Sequence, residues 1–419
     1  MTKTTQDRDT KRSESLWRNR DFLAVWSGQI VSTLGTSGSA TAVPLFVLAA
    51  TSSAADAGLV TAVTALPALI IQLPAGTLAD RWNRLRVLAV SELLTGLALL
   101  LVPIAVWLGH PSLLVLGGAI VVQRCCGVFF GSAERAVLPA LVPQGKLGDA
   151  IAQNEAKSRA ANLIGPPIGG LLFGYGRGLP FLVDAVSSLL AAGGLRLVRA
   201  DLRPARTSAP TGLWRETGRG LAWIVRQPLI RTAILLIAVS NMVFQALTLI
   251  LIVLVRRHGA TSAEVGLMFG LYSAGGMIGA IAAPRLYRRL SPKSVIVVTN
   301  WIWAAQLPLF LLTGNPLILG LIGAGCSFLG PIWNVVAEGY FITQVPDELR
   351  GRVSGAAMAV SSGVIPLAAA ASGYLLAAAG PSRSIVVITV VMLATAVVGT
   401  VSPAIRSAQH NPAGQNGPA

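Results

Sequence analysis

Charge is scarce in this chain. Of its 419 residues, 12% are Asp, Glu, Lys or Arg, about half the fraction of a soluble globular domain. Acids are the rarer sign, 17 against 33 Lys and Arg, for a formal net charge of +16. Histidine and cysteine number three each. His110 and His258 fall in breaks between apolar runs and His410 in a polar tail. A serine–histidine site at membrane depth therefore has no base, and the chain is not expected to be an enzyme. Cys125, Cys126 and Cys326 lie inside apolar runs. Their spacing fits neither a disulfide framework nor a metal site, and packing is their expected use. A Walker-type phosphate loop is missing too, which argues against direct ATP hydrolysis. Neither metal nor cofactor is expected.

What the chain has is apolar length. Hydrophobic residues make up 53%, and mean hydropathy is +0.66. A helix needs roughly 20 mostly apolar residues to cross a bilayer. Twelve runs qualify, at about 22–50, 57–79, 86–108, 112–134, 150–173 and 179–198, then 229–255, 263–284, 294–313, 316–341, 352–378 and 384–403. A β-barrel would show short alternating segments instead. The expected fold is an all-α polytopic membrane protein, twelve transmembrane helices in two pseudo-symmetric six-helix bundles. The first run is too long for a signal-peptide core, and "SATA" (39–42) reads as small residues in a first helix rather than a cleavage site. Small residues four apart, such as Gly266 and Gly270 or Gly275 and Gly279, let helices approach closely in lipid.

Basic residues set the orientation. With the N-terminus inside, nearly all Lys and Arg fall in inner segments, and the outer ones hold only Arg177, Arg256, Arg257 and Arg383. The positive-inside bias then places both termini in the cytoplasm, in a cell plasma membrane. Much of the net charge becomes attraction to an anionic inner leaflet. Nucleic-acid binding needs a basic face on a soluble fold, and these charges sit in short breaks. The expected partners are a small-molecule substrate and membrane lipids, the chain acting as a monomer without nucleic acid.

The organisation expected is a cytoplasmic tail (1–21), a six-helix bundle (22–199), a cytoplasmic linker (200–228), a second bundle (229–404) and a disordered tail (405–419). Within the linker, Leu213, Trp214, Leu221 and Ile224 among arginines suggest an amphipathic helix on the inner surface. The halves echo each other. "DAGL" (56–59) precedes span two and "EVGL" (264–267) falls at the start of span eight; "GTLAD" (76–80) and "GAIAA" (279–283) close them. Ala133-Glu134 before Val142-Pro143 matches Ala337-Glu338 before Val345-Pro346. Such internal symmetry marks transporter folds.

The break after span two concentrates charge: Gly76, Asp80, Arg81, Asn83, Arg84, Leu85, Arg86. This pattern, with twelve spans and a long central loop, resembles the major facilitator superfamily. Its loop motif runs Gly, three residues, Asp-Arg, any residue, Gly-Arg and a further basic residue. Asn83 stands where the motif has a turn glycine, and Asn tolerates a left-handed backbone; Leu85 stands at a basic position, with Arg86 next to it. "NLIGPPIGG" (162–170) is similar to the end of the antiporter motif in span five, matching at Gly165, Pro166, Gly169 and Gly170. "LWRNRDFLAVWSGQIVSTLG" (16–35) and "VPDELRGRVSG" (345–355) resemble the enterobactin-type and macrolide-type exporter subgroup. The resemblance implies that Asp80 and Arg84, with Gly76, Arg81 and Arg86 around them, latch the halves against the start of span eleven. It also implies a bend in span five that either seals a cavity wall or only packs.

Ionisable groups inside spans are functional candidates. Arg124, half-way along span four, could influence a carboxylate's protonation, contact an anionic substrate or serve structural pairing. Asp184, early in span six, could take up a proton or stabilise its helix N-terminus. Glu92 in span three could also couple protons, or snorkel or pair with Arg86. Lys157 and Arg159 are expected to snorkel. Gln29, Asn241, Gln245, Trp333 and Asn334 could line a cavity for a bulky amphiphile, or join helices by hydrogen bonds. The expected function is a secondary active exporter of small hydrophobic or amphiphilic compounds of the drug, antibiotic or siderophore class. Alternating access driven by proton antiport would power it, with the proton gradient in the place of a cofactor. A proton-coupled importer of a nutrient or metabolite is the alternative.

Overall fold

A computed structural model of the chain describes residues 20–79, 82–142, 144–198, 213–287, 291–345 and 350–406. The helices are α1 (Arg20–Thr51), α2 (Ala54–Ala79), α3 (Arg84–Trp107), α4 (Leu113–Leu141), α5 (Leu147–Tyr175), α6 (Leu179–Gly194), α7 (Leu213–Arg226), α8 (Pro228–Arg257), α9 (Ser262–Tyr287), α10 (Pro292–Gln306), α11 (Pro316–Gln344) and α12 (Arg350–Val401). Short 3₁₀ turns follow α6 and α10. Ten of the described helices are long and apolar enough to cross a membrane.

Two details bring these into line with twelve spans. First, α12 is two helices: Gly380 breaks it with φ 74°, a left-handed backbone that glycine adopts without penalty. Pro381 then opens the next limb, its fixed φ suited to a first helical turn. Second, α5 is 29 residues long, ample for a crossing, although its first half carries Asp149, Glu155, Lys157 and Arg159. All twelve expected spans are therefore present as helices.

Side-chain caps set several of the starts. Ser112 accepts from the Val115 amide, and Ser291 from the Ser294 amide with Pro292 at the first turn. The echo between "DAGL" and "EVGL" is a pair of caps. Ser53 Oγ accepts from the Asp56 amide at 3.1 Å. Thr261 and Glu264 cap each other reciprocally, at 3.3 Å and 2.7 Å. Both are versions of the Ser/Thr-x-x-acid capping box, which satisfies amides that a helix start leaves open.

Asn83 differs from expectation. Its backbone is extended (φ −62°, ψ 111°), not left-handed, and its side chain accepts from the Arg86 amide as the N-cap of α3. Replacing the motif's glycine thus changes a turn residue into a capping residue. Asn83→Ala is expected to cost about 1 kcal/mol of local helix stability. Hydrogen exchange at the Arg86 amide should quicken accordingly; an unchanged rate would remove the cap from the account.

Contacts divide the chain into two units. One is Met1–Pro210 with Thr261–Gly270; the other is Thr211–Ala260 with Leu271–Ala419. In the first, α1 packs on α5 and α6, α3 on α4 and α6, and α2 on α4. Small residues make these approaches possible. Gly28 of α1 faces Ala191, and Gly96 of α3 faces Leu189 and the Ala185 carbonyl of α6. The first turns of α9 group with this unit because Gly266 and Gly270 meet Pro166, Pro167 and Gly170 of α5.

In the second unit α8 lies along α12, and α10 along α11 and α12. Phe244, Trp303 and Trp333 form an aromatic cluster with centroids 4.9 Å and 6.3 Å apart. The amphipathic helix α7 docks here through Ile224, which is buried with Ile230, Ile234, Val345, Val353 and Ala356, with Trp223 alongside. Leu221, expected on the same apolar face, remains exposed.

Candidate functional site

The polar chemistry of the first unit centres on one face of α1. Gln29, Ser32, Thr36 and Ser39 are spaced by three, four and three residues, so they stack along a single side of the helix. The stripe spans about 15 Å at 1.5 Å per residue. Each member reaches a carboxylate on a neighbouring helix.

At the N-terminal end of the stripe the partner is Glu92 of α3. Gln29 Nε2 donates to its Oε1 at 3.1 Å, and Ser32 Oγ lies 3.0 Å from both oxygens. Glu92 is 6% exposed, and its bonds run to α1. It therefore neither snorkels nor pairs with Arg86, which is exposed. Gln29, a candidate for a substrate cavity, is buried and committed to this carboxylate.

At the other end the partner is Asp184 of α6, fully buried. Thr36 Oγ1 donates to Oδ1 at 3.1 Å, and Ser39 Oγ to Oδ2 at 2.5 Å. Gln123 Nε2 of α4 donates to Oδ2 at 2.7 Å. Gly35, between these rows, brings the helices together. A methyl at that position would lie 2.5 Å from Ser187 Oγ and 2.9 Å from Asp184 Cα. Asp184 thus takes its bonds from two other helices rather than from its own helix N-terminus.

This setting suits reversible protonation. A carboxylate only accepts, while its acid form donates once as well. A hydroxyl can do either by rotating, so Ser32, Thr36 and Ser39 can serve both states. Thr36 is exposed whereas Asp184 is not, so the buried acid is bonded to a residue that reaches the unit's surface.

Of the loop cluster, Asp80 and Arg81 lie outside the described residues. Gly76 is in α2. Arg84 Nη1 donates to the Ala136 carbonyl of α4 at 3.0 Å. The antiporter-type stretch is packed to contact. A methyl on Gly165 would meet Ser37 and Gly38 of α1; one on Gly169 would meet Gly38; one on Gly170 would meet Ser262 and Gly266 of α9. The Pro166 carbonyl lies against Gly266. Lys157 does not snorkel. It is buried and pairs with Glu134 of α4 at 3.0 Å, because that acid lies on the adjoining helix face. Arg159 pairs with Glu155 at 2.8 Å.

Other candidates are dispersed. In the second unit, Asn241 donates to the Ser361 carbonyl at 2.9 Å. Trp333 is buried in the aromatic cluster rather than lining open space. Gln245 is half-buried and Asn334 exposed. Arg124, on α4 in the first unit, is exposed and has no partner among the described residues. Sequence reasoning missed Ser32, Thr36, Ser39 and Gln123. The signal was the helical spacing of polar residues through Gln29 in an otherwise apolar run.

Comparison with known proteins places this geometry. The chain is 26% identical over 407 residues to the multidrug efflux pump Tap of Mycobacterium tuberculosis (strain ATCC 25618 / H37Rv), covering 93% of this chain and 94% of the relative. It is 25% identical over 345 residues to the enterobactin exporter EntS of Escherichia coli O1:K1 / APEC, covering 80% of each. Among solved structures it resembles a bacterial homolog of the human lysosomal transporter Spinster, in an inward-facing and unoccupied conformation. The TM-score is 0.71 at 15% identity, covering 94% of this chain and 99% of that one. The nucleoside transporter NupG gives a TM-score of 0.69 at 13% identity, covering 92% and 99%. The family model described as Major Facilitator Superfamily matches residues 25–369 and 233–417. With its helices, its capped internal repeat and a sequence match over most of its length, the chain belongs to the major facilitator superfamily of membrane transporters.

Proposed function

We propose that this transporter is a secondary active exporter of small hydrophobic or amphiphilic compounds, driven by proton antiport. The observation that carries the proton is Asp184: a fully buried carboxylate held by two hydroxyls and an amide, with one of those hydroxyls on an exposed residue, Thr36. Buried ionisable groups in spans mark ion pathways. Glu92 of α3, bonded to the same face of α1, is a second station along the same route. The export direction rests on relatives named as an efflux pump and an exporter.

In this reading the protein sits in the plasma membrane with both termini cytoplasmic, as the basic residues favour. Asp80 and Arg84 latch the inner side, and the chain works as a monomer on substrate and proton alone. The test is accumulation of the cationic dye ethidium in cells producing the protein, with and without a proton uncoupler. Lower accumulation that the uncoupler restores is the expected result. Raised accumulation would favour the importer, and a deficit indifferent to the uncoupler would remove the proton.

A further inference from the structure

Several cations on the described helices have protein partners. Lys157 pairs with Glu134 and Arg159 with Glu155, while Arg84 and Arg256 donate to main-chain carbonyls. Arg124 lies about 16 Å along α4 from its first residue, about two-fifths of the way along the helix. Its side chain is exposed and, among the described residues, has neither acid nor carbonyl partner. A guanidinium at that depth is costly unless something supplies the opposite charge.

The surface around it is open. Gly117, Arg124 and Gly131 recur at seven-residue spacing, with Gly127 between, so they share one face of α4. A methyl added at any of these three glycines would meet nothing within 4 Å. That is the reverse of Gly38 on α1, Gly169 on α5 and Gly266 on α9, which are pressed against neighbouring backbone. On the adjoining face, Gln123 reaches Asp184 of α6 and Glu134 reaches Lys157 of α5. Phe129, about 140° around the helix, stacks on Trp82 instead. Arg124 thus stands beside the packed interior, on a helix face whose glycines meet no neighbouring atom within 4 Å.

We propose that Arg124 is an anion-recognition point, binding the carboxylate or other acidic group of an amphiphilic substrate whose apolar body lies along the glycine face. The proposal rests on the exporter reading and narrows its substrates to include organic anions. Guanidinium suits this role because its fork of donors matches a carboxylate in the plane. It also places substrate and proton on consecutive residues of α4, since Gln123 holds Asp184.

The test uses purified protein in a neutral detergent, without a gradient, and two xanthene dyes of similar size: anionic fluorescein and cationic rhodamine 6G. Fluorescence anisotropy reads their binding. Arg124→Gln is expected to weaken fluorescein by about tenfold, the loss of one charge-assisted contact, and to leave rhodamine 6G within about twofold. Arg124→Lys, which keeps the charge but not the fork, should recover only part of the affinity. Gly127→Leu keeps the charge but fills the open space at that glycine, and should weaken fluorescein by about fivefold; it serves if the glutamine variant does not fold. Equal weakening of both dyes would assign Arg124 a structural role. Failure of the wild type to bind fluorescein would also overturn the proposal. So would displacement of the dye by phosphatidylglycerol, which would make a lipid headgroup the occupant. Because no gradient is applied, loss of proton-driven efflux with dye binding intact would sink the exporter reading alone.

Discussion

Asp184→Asn protein is expected to reach the membrane in normal amount while its proton-driven efflux falls by about a hundredfold, the low end of what a positioned proton-transfer group contributes. The side chains are nearly isosteric, and each group around Asp184 can adapt. Thr36 and Ser39 can turn their hydroxyls to accept from the new amide, and Gln123 can present its oxygen instead. Packing therefore survives while the exchangeable proton is lost. Two vesicle measurements separate these effects: uphill dye transport under an imposed pH gradient, and downhill dye exchange without one. The expected pattern is loss of the first with retention of the second. Uphill transport at the wild-type rate in the asparagine variant would end Asp184's role as carrier. Thr36→Val, which removes the exposed hydroxyl but keeps the acid, should slow uphill transport less severely.

Gly169→Val is expected to be the most disruptive single substitution for folding in the first unit. A methyl at Gly169 would lie 2.6 Å from the carbonyl carbon and 2.7 Å from the Cα of Gly38. Backbone cannot rotate aside as a long side chain does, so α1 and α5 must separate. Forced overpacking typically costs 1–3 kcal/mol, and a backbone collision belongs at the upper end, about 3 kcal/mol. Separation would also draw Ser39, one residue from Gly38, away from Asp184. Gly174→Val is the matched control: it lies on the same helix, and a methyl there would meet nothing within 4 Å. Thermal midpoints by fluorescence-detected size exclusion should drop sharply for the first variant and hold for the second. Equal midpoints would mean that the two helices tolerate a wider spacing.

The spans were legible because lipid demands long apolar runs, and their ends because Ser, Thr, Asn and Pro stop or start helices for local reasons. Gly380-Pro381 marks the break in α12 within such a gap. Sites were less legible for a physical reason as well. A hydropathy pattern shows that a residue is polar inside a run, but not which helix it meets. For Glu92 the pattern leaves proton coupling, snorkelling and pairing with Arg86 open, because its donors lie 60 and 63 residues earlier, on α1. Lys157 looked like a snorkelling group because Glu134 sits on another helix. Asn83 was misread because its motif position suggested a turn, whereas Asn fits a cap equally well. Trp333 could line a cavity or join helices on its sequence alone, and the amphipathic character that suits either also lets it fill an aromatic core.

One feature of α1 bears on how this protein would be observed at work. Serine and threonine exchange donor for acceptor by swinging a single hydrogen, so the heavy atoms around Asp184 can stay where they are when a proton arrives. Filled and empty forms of that pocket would then look alike in an electron-density or cryo-EM map. The difference would instead be carried by a carbonyl stretch in the infrared, and a deuterium isotope shift of that band would be its signature.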